Sequence, residues 1–173
     1  MAATFVWEEA NGAGQSITSN RTEVNWKNID DSTTAYTSSP ITAGNNSYTK
    51  YQYGKFSGTF NQILNGLWAH TAGALGTGLT LKGAPTGASQ LTYATPATTA
   101  NASLSVDMTS VTAIGSGTPV YFGPTSANTA GKAASTTSNP AYTNYLATQL
   151  QTTGSAVAGD TTTVTITLQY DEN

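Results

Sequence analysis

The stretch that decides the fold is Thr161-Thr-Thr-Val-Thr-Ile-Thr-Leu-Gln-Tyr170, close to the end of the chain. Val164, Ile166, Leu168 and Tyr170 alternate in it with threonines and a glutamine. Successive side chains on a β-strand point to opposite faces of the sheet. The pattern therefore predicts a strand with one face in an apolar core and a threonine ladder on the other face.

The preceding segment, Ala141–Gln151, also has the pattern of a strand. Tyr142, Leu146 and Leu150 fall on one parity of this run. A loop rich in threonine, glycine and alanine, Thr152–Asp160, connects it to the last strand. Antiparallel neighbours joined by a short loop commonly pair, so we expect a C-terminal hairpin.

The middle segment, Ser47–Phe60, is rich in aromatic residues. Tyr51 and Tyr53 share one parity, whereas Phe56 has the other, and Gly54 lies between them. A glycine inside a strand pattern often marks a bulge or a tight bend. A bulge at Gly54 would bring the tyrosines and the phenylalanine to one face.

Turn residues separate further short strand candidates along the whole chain. These candidates are Thr4–Trp7, Ser16–Val24, Asn61–His70, Leu79–Leu81, Leu91–Tyr93, Ser103–Met108 and Val120–Phe122. Regular spacing of roughly 8–12 residues between short strands is typical of sandwiches and jelly rolls. We therefore predict one all-β domain over residues 1–173, an Ig-like or jelly-roll β-sandwich. Its long Thr/Ser/Ala-rich loops, Asp30–Asn46 and Thr125–Pro140, are expected to reach a neighbouring subunit.

Charged residues are scarce, and this limits the partners. They make up 9% of the chain, compared with about 25% in an average soluble domain. Threonine alone accounts for nearly a fifth of the residues. The formal net charge is −3, and the few cations are spread along the sequence: Arg21, Lys27, Lys50, Lys55, Lys82 and Lys132. This distribution offers no basic surface for nucleic acid or an anionic membrane.

No catalytic, cofactor-binding or metal site is predicted. The chain has no cysteine, and His70 is its single histidine, which excludes thiolate and multi-histidine zinc sites. His70 is interpreted as a histidine near a loop or an interface. The glycines Gly73, Gly76 and Gly78 lack the order of a phosphate-binding loop and are expected to form a turn.

Carboxylates occur as three adjacent pairs, Glu8-Glu9, Asp30-Asp31 and Asp171-Glu172. Such pairs, together with loop carbonyls, could hold calcium. None has the spaced oxygen ligands of a dedicated calcium loop, so we expect them to be solvated.

The large aromatic residues have two interpretations. They can fill a sandwich core, or they can form a platform for a sugar or a protein partner, because tyrosine and tryptophan combine apolar area with a polar tip. Core packing is favoured, and the platform remains open. The platform candidates are Trp7, Trp26, Tyr48, Tyr51, Tyr53 and Trp68.

The N-terminal segment Met1–Glu9 has neither the basic start nor the apolar run of a signal peptide. No apolar stretch approaches the ~18 residues of a membrane-spanning helix. We expect synthesis in a cytoplasm without an encoded export signal.

Asn46-Ser-Tyr-Thr-Lys-Tyr-Gln-Tyr-Gly-Lys-Phe-Ser-Gly-Thr-Phe-Asn61 and Leu75-Gly-Thr-Gly-Leu-Thr-Leu-Lys82 resemble small structural proteins of tailed bacteriophages. The ending, from Tyr142 to Leu146 and from Leu168 to Glu172, is similar to the closing hairpin of the same proteins. The resemblance implies a β-sandwich in the virion, of the kind that decorates and cements capsids.

Two functions follow as expectations. The first is a non-enzymatic capsid decoration (cement) protein, a homo-oligomer that binds the major capsid protein or another virion protein on the outer shell. The alternative is a tail, baseplate or fibre component that binds a host-surface glycan through an aromatic face. Neither function requires a cofactor. A glycan hydrolase is the least favoured alternative, because it would need two of the nine acidic residues to be placed in a cleft.

Overall fold

The computed structural model describes residues 2–70, 74–84, 93–97, 104, 106–108, 118–119, 122–123, 135–159 and 162–173. Within these ranges there is no α-helix, and the only helical segment is a 3-10 turn at Tyr36–Ser38. The strands in chain order are β1 (Ala3–Asn11), β2 (Ser16–Ser19), β3 (Lys50–Gly58), β4 (Ile63–His70), β5 (Leu79–Ala84), β6 (Val106–Asp107), β7 (Thr118–Pro119), β8 (Phe122–Gly123), β9 (Ser135–Thr136), β10 (Ala141–Thr143), β11 (Leu146–Thr152) and β12 (Ile166–Glu172).

These strands form two sheets in which every pairing is antiparallel. The larger sheet has the order β2-β1-β3-β11-β5-β6. Strand β10 also pairs with β3, and β8 pairs with β10. The smaller sheet has the order β12-β4-β7, with β9 also paired to β4. The predicted all-β class is confirmed, whereas the Ig-like or jelly-roll topology stays a prediction.

The two sheets share an apolar core, as a β-sandwich requires. The larger sheet contributes Phe56, Leu81 and Leu146, and the smaller sheet contributes Ile63, all fully buried. The apolar residues of Thr161–Tyr170 pack against this cluster, while the threonines and the glutamine between them are exposed where they are described. The predicted burial alternation of the last strand is confirmed, although the strand itself is β12, from Ile166 to Glu172.

The predicted C-terminal hairpin is wrong. Strand β11 pairs with β3 and β5 in the larger sheet, whereas β12 pairs with β4 in the smaller one. The physical reason is burial. Every residue from Leu146 to Leu150 is buried, so both faces of β11 are covered. The strand is also paired along both of its edges, with β3 and with β5. Tyr142 also departs from the predicted parity, because it packs on the opposite face from Leu146.

No bulge occurs at Gly54. The register between β1 and β3 is unbroken from Ala3 opposite Gly58 to Ala10 opposite Tyr51. The tyrosines of β3 therefore face away from Phe56 and belong to a separate cluster. Glycine allows the ring of Phe5 to pack closely against the β3 backbone at this position, because a Cβ atom at Gly54 would lie 2.5 Å from Cε2 of Phe5.

The shorter strand candidates have mixed outcomes. Thr4–Trp7 lies within β1, Leu79–Leu81 within β5 and Asn61–His70 contains β4, while only the first residues of Ser16–Val24 form β2. Ser103–Met108 contains β6, Val120–Phe122 overlaps β8, and Tyr93 is described outside any strand.

The loop Asp30–Asn46 is irregular as predicted, and β9 lies near the end of Thr125–Pro140. Gly76 and Gly78 lie in the expected turn; Gly73 and Leu91 are outside the described residues.

The first and last strands meet at one corner of the sandwich. The Ala3 backbone N–H donates to Oε1 of Glu172 over 2.9 Å. Asn173 exchanges backbone hydrogen bonds with Gln62, at 2.9 and 3.1 Å. Asn65 Nδ2 donates to Oδ2 of Asp171 over 2.8 Å. The pair Asp171-Glu172 is therefore held in hydrogen bonds that close the end of the fold.

Candidate functional site

A buried polar network occupies one end of the inner face of the larger sheet. At its centre Glu9 is only 1% exposed. Its Oε1 atom accepts from Nζ of Lys50 at 3.1 Å and from Nδ2 of Asn11 at 3.1 Å, and its Oε2 accepts from Nε2 of Gln52 at 3.2 Å. The β1–β3 register places Glu9 directly opposite Gln52, which brings these groups to the same face. A buried carboxylate is stable only when paired in this way.

The loop from Lys27 to Thr34 covers this network. Nζ of Lys27, a fully buried residue, donates to Oδ1 of Asp31 at 2.6 Å and to the Thr34 carbonyl. Nζ of Lys50 donates to the Asp31 carbonyl at 2.6 Å, which ties the loop to β3. Burial alone would raise the pKa of Asp31, but the Lys27 ion pair and hydrogen bonds from Thr34 outweigh it and lower that pKa well below its usual range.

The Glu8-Glu9 pair is therefore not solvated, contrary to the prediction, whereas Asp30 and Asp31 are partly exposed and hydrogen-bonded. Glu8 and Glu9 are buried, and Glu8 is 3.6 Å from Nζ of Lys55. Asp30 accepts hydrogen bonds from Asn11 Nδ2 at 3.0 Å and from the Gly12 N–H at 2.7 Å. Adjacent acidic residues predict a solvent-facing pair only when no cation from another segment pairs with them. Here Arg21 and Lys50 lie within 4 Å of Glu9, and Lys55 lies within 4 Å of Glu8. Among the described residues no group of three or more acidic or histidine side chains could hold a metal ion.

Beside the network lies a cavity of about 370 Å³, here called the tryptophan cavity. Its walls come from β1, β3, β11, the segment Arg21–Trp26 and the approach to β12. The lining residues are Trp7, Arg21, Thr22, Glu23, Val24, Asn25, Trp26, Gln52, Leu146, Thr162, Thr163, Val164, Thr165 and Ile166.

Two backbone and side-chain contacts hold the segment Arg21–Trp26 over the sheet. The Arg21 N–H donates to the Trp7 carbonyl over 2.9 Å. Nε1 of Trp26 donates to Oγ1 of Thr148 on β11 over 3.0 Å. Both indole rings are half-buried and pack against the apolar core. Trp7 and Trp26 are thus fixed as walls of the tryptophan cavity.

Two polar atoms of the cavity wall are buried without a hydrogen-bond partner among the described residues. They are Nε of Arg21, a donor, and Oε1 of Gln52, an acceptor. Gln52 is 3% exposed, and Nε of Arg21 lies 3.8 Å from Oε2 of Glu9. Buried polar atoms are nearly always paired in folded proteins, so these two atoms are exceptions among the residues that line the cavity.

The predicted aromatic platform does not assemble as a whole. Tyr51 and Tyr53 pack with Tyr145 on the other face of the larger sheet, at ring-centroid distances of 5.7 and 5.1 Å. Tyr93 covers this cluster, 5.0 Å from Tyr51. Tyr48 does not line the tryptophan cavity. Only Trp7 and Trp26 of the six candidates line one surface together; the side chains of Trp68 and His70 are outside the described part of the structure.

Burial raises the pKa values in the tyrosine cluster. It raises the pKa of Tyr145 to about 12, although the hydrogen bond from Gln15 acts in the opposite direction. Burial also raises the pKa values of Tyr51 and Tyr53, and at Tyr53 the neighbouring Glu8 adds to the effect. These hydroxyls stay neutral at physiological pH and offer no anionic group for catalysis.

Sequence reasoning named Trp7 and Trp26 but missed Arg21 and Gln52. Both lie in segments whose local pattern is unremarkable, and their role comes from Glu9, which is distant from Gln52 in the sequence. The weak signal was a charged residue inside an apolar strand pattern, because Glu9 and Lys50 occur in β1 and β3. Charges at such positions require partners from elsewhere in the chain.

Comparison with protein-family models, curated proteins and solved structures gives no significant match to this chain. The described residues contain no helix of the length and apolarity needed to cross a membrane.

Proposed function

We propose that this chain is a non-enzymatic structural protein of a tailed-phage virion, and specifically a capsid decoration protein. In this role it binds the major capsid protein, or another virion protein, on the outer shell as a homo-oligomer and stabilises the particle. Its location is the virion, and neither nucleic acid nor a membrane is a partner.

The observation that carries the proposal is the pairing of cations with carboxylates within the chain. Each cation of the described residues, from Arg21 to Lys82, lies within 4 Å of a carboxylate of the same chain, at distances of 2.6 to 3.8 Å. The exposed side chains of the last strand are Thr167, Gln169 and Asp171, of which only Asp171 is charged. Copies with so little free charge can lie side by side without strong mutual repulsion.

Free sheet edges provide a route to such contacts. Among the described strands, β12 lies at one edge of the smaller sheet and β2 at one edge of the larger sheet. Ile17 on β2 is 44% exposed. An edge strand presents unpaired backbone groups that can pair with another chain. These edges support oligomer formation and binding to a shell protein.

The test is the copy number in purified particles. Cells that produce the protein are induced for particle release, and the copies per particle are measured by quantitative mass spectrometry against the major capsid protein. Hundreds of copies support the decoration role, whereas a few dozen favour the tail, baseplate or fibre role. Absence of the protein from particles that assemble normally would contradict both.

A further inference from the structure

We propose that the tryptophan cavity is a binding site for one neutral sugar ring in pyranose form. The site goes beyond the structural role proposed above and does not depend on where the protein lies in a particle. Four observations support it: the unpartnered polar atoms, the two indole walls, the balance of charge and the size of the cavity.

The unpartnered atoms define which ligand groups fit. Gln52 Oε1 can only accept a hydrogen bond, and Arg21 Nε can only donate one. Both atoms are buried and have no hydrogen-bond partner among the described residues, although Nε of Arg21 lies 3.8 Å from Oε2 of Glu9. A hydroxyl group donates and accepts at once, so neighbouring hydroxyls of one sugar ring can satisfy both atoms. A purely apolar ligand would leave both unpaired, which is unfavourable.

The two tryptophans supply the apolar part of the site. The face of an indole ring carries negative charge density and its edge carries positive density. The C–H groups on one side of a pyranose ring are weakly positive and apolar, so they pack favourably on such a face. Trp7 and Trp26 both line the cavity, and Val24, Leu146 and Ile166 extend its apolar surface.

The charges around the cavity favour a neutral ligand. Arg21 is the only cation in the lining, and it lies 3.8 Å from the Glu9 carboxylate. Glu23 lies in the lining as well. An anionic sugar would meet these two carboxylates, while a cationic one would meet Arg21 and the ammonium group of Lys50 behind Glu9. A neutral sugar ring is repelled neither by the carboxylates nor by the cations.

The size fits one ring. Small-molecule sites have volumes of about 300–1,000 Å³, and the tryptophan cavity, at about 370 Å³, is at the lower end. The exposed residues Thr22, Glu23 and Thr163 form its outer part, so the ring can enter from solvent. The site therefore accommodates a terminal or single sugar unit.

The experiment titrates the full chain with methyl glycosides of glucose, galactose, mannose and N-acetylglucosamine. Glucuronate and glucosamine serve as anionic and cationic probes. Binding is followed by saturation-transfer NMR and by tryptophan fluorescence. We expect at least one neutral glycoside to bind with a dissociation constant on the order of 1 mM, as for small polar ligands. Both charged probes should bind more weakly.

Two variants locate the site, with one matched control. Thr163→Trp places an indole at the mouth of the cavity and should weaken binding about tenfold or more. Thr167→Trp makes the same change on an exposed position that does not line the cavity, and should leave binding unchanged. Arg21→Met removes the donor but retains the aliphatic stem, and should also weaken binding. Thermal unfolding of each variant shows that it is folded.

Three results would overturn the proposal. The first is that no neutral glycoside binds up to about 50 mM, well above the expected constant. The second is that binding by folded Thr163→Trp equals that of the unaltered chain. The third is that a charged probe binds more tightly than every neutral one.

Discussion

At the residue scale, the fold depends on a few charged side chains that are removed from solvent. Glu9 and Lys50 are each 1% exposed and lie 3.1 Å apart. Transfer of such charges out of water is costly, so removal of either partner would leave an uncompensated buried charge. The network positions Gln52 and Arg21 at the tryptophan cavity.

Replacement of Glu9 by glutamine should therefore be strongly destabilising. The change keeps the shape of the side chain but leaves the Lys50 ammonium group without its buried counter-charge. We expect a loss of about 3–5 kcal/mol in the free energy of unfolding. Urea denaturation followed by circular dichroism measures it.

Glu23→Gln is the matched control for this prediction. Glu23 is exposed, and its Oε1 atom accepts a hydrogen bond from Nδ2 of the nearby residue Asn25 over 3.0 Å. The control should change the free energy of unfolding by no more than about 0.5 kcal/mol. Equal losses in the two variants would mean that burial of Glu9 does not matter.

The tyrosine cluster predicts a loss of stability in alkaline solution. Burial raises the pKa values of Tyr51, Tyr53, Tyr93 and Tyr145 above the ordinary value of 10.0. Groups with raised folded-state pKa values stabilise the fold below the unfolded value, and that stability is lost as the pH rises through the folded values. The melting temperature should thus fall steeply above about pH 10.

Melting curves at increasing pH, with tyrosinate absorbance followed in parallel, measure this effect. Tyr51→Phe should reduce the alkaline loss, because it removes one buried hydroxyl that has to ionise. A melting temperature that stays constant while the buried tyrosines ionise would show that they ionise equally well in the folded chain.

At the element scale, the sequence predicted some strands well and others poorly, for a physical reason. Residues 162–170 face the core on one side only, so the alternation of their burial is visible in the sequence itself. Strand β11 is buried on both faces, and its polar residues Thr148 and Gln149 are satisfied by distant partners, Trp26 and Ser47. No local pattern encodes such partners, and the hairpin prediction failed there.

The residues of the candidate site also fall into two groups, those that the sequence predicted and those that it did not. Trp7 and Trp26 could be named in advance because large aromatic residues are conspicuous in any sequence. The convergence of Arg21, Gln52 and Glu9 depends on the β1–β3 register and on the course of an irregular segment. Register is set by packing along the whole strand, so sequence reasoning did not find these residues.

The last strand supplies a paired test of its orientation. Ile166→Asp would place an unpaired carboxylate against the apolar core and should cost at least about 3 kcal/mol. Thr167→Asp changes an exposed position on the opposite face and should cost about 1 kcal/mol or less. Chemical denaturation of both variants measures the difference. If Ile166→Asp folds with normal stability, the strand does not face the core as described.

At the scale of the whole molecule, every cation of the described residues is paired with a carboxylate of the same chain, and the described exterior is rich in hydroxyl groups. Contacts with a shell protein would then be mainly apolar and hydrogen-bonded. Charge–charge contacts at a surface are screened within about 8–10 Å at physiological ionic strength, so binding without them should depend weakly on salt.

This expectation can be measured on isolated particles. Binding of the purified protein is compared across roughly a tenfold range of sodium chloride concentration, for which the screening changes substantially. We expect the bound fraction to remain nearly constant. Release of most of the protein at the higher concentration would assign the contact to exposed charges instead.

The hydrogen bond between Ala3 and Glu172 holds strands β1 and β12 together, although the two strands are far apart in the sequence. A short linker between Asn173 and Ala2 could join these two strands directly, and new ends could be opened at the exposed residues Ala13 and Gly14 between β1 and β2. Circular permutation succeeds most often when the original ends are adjacent and the new ones lie in an exposed turn. A binding partner, label or fusion could then be attached at either of two separate places without changing the sandwich.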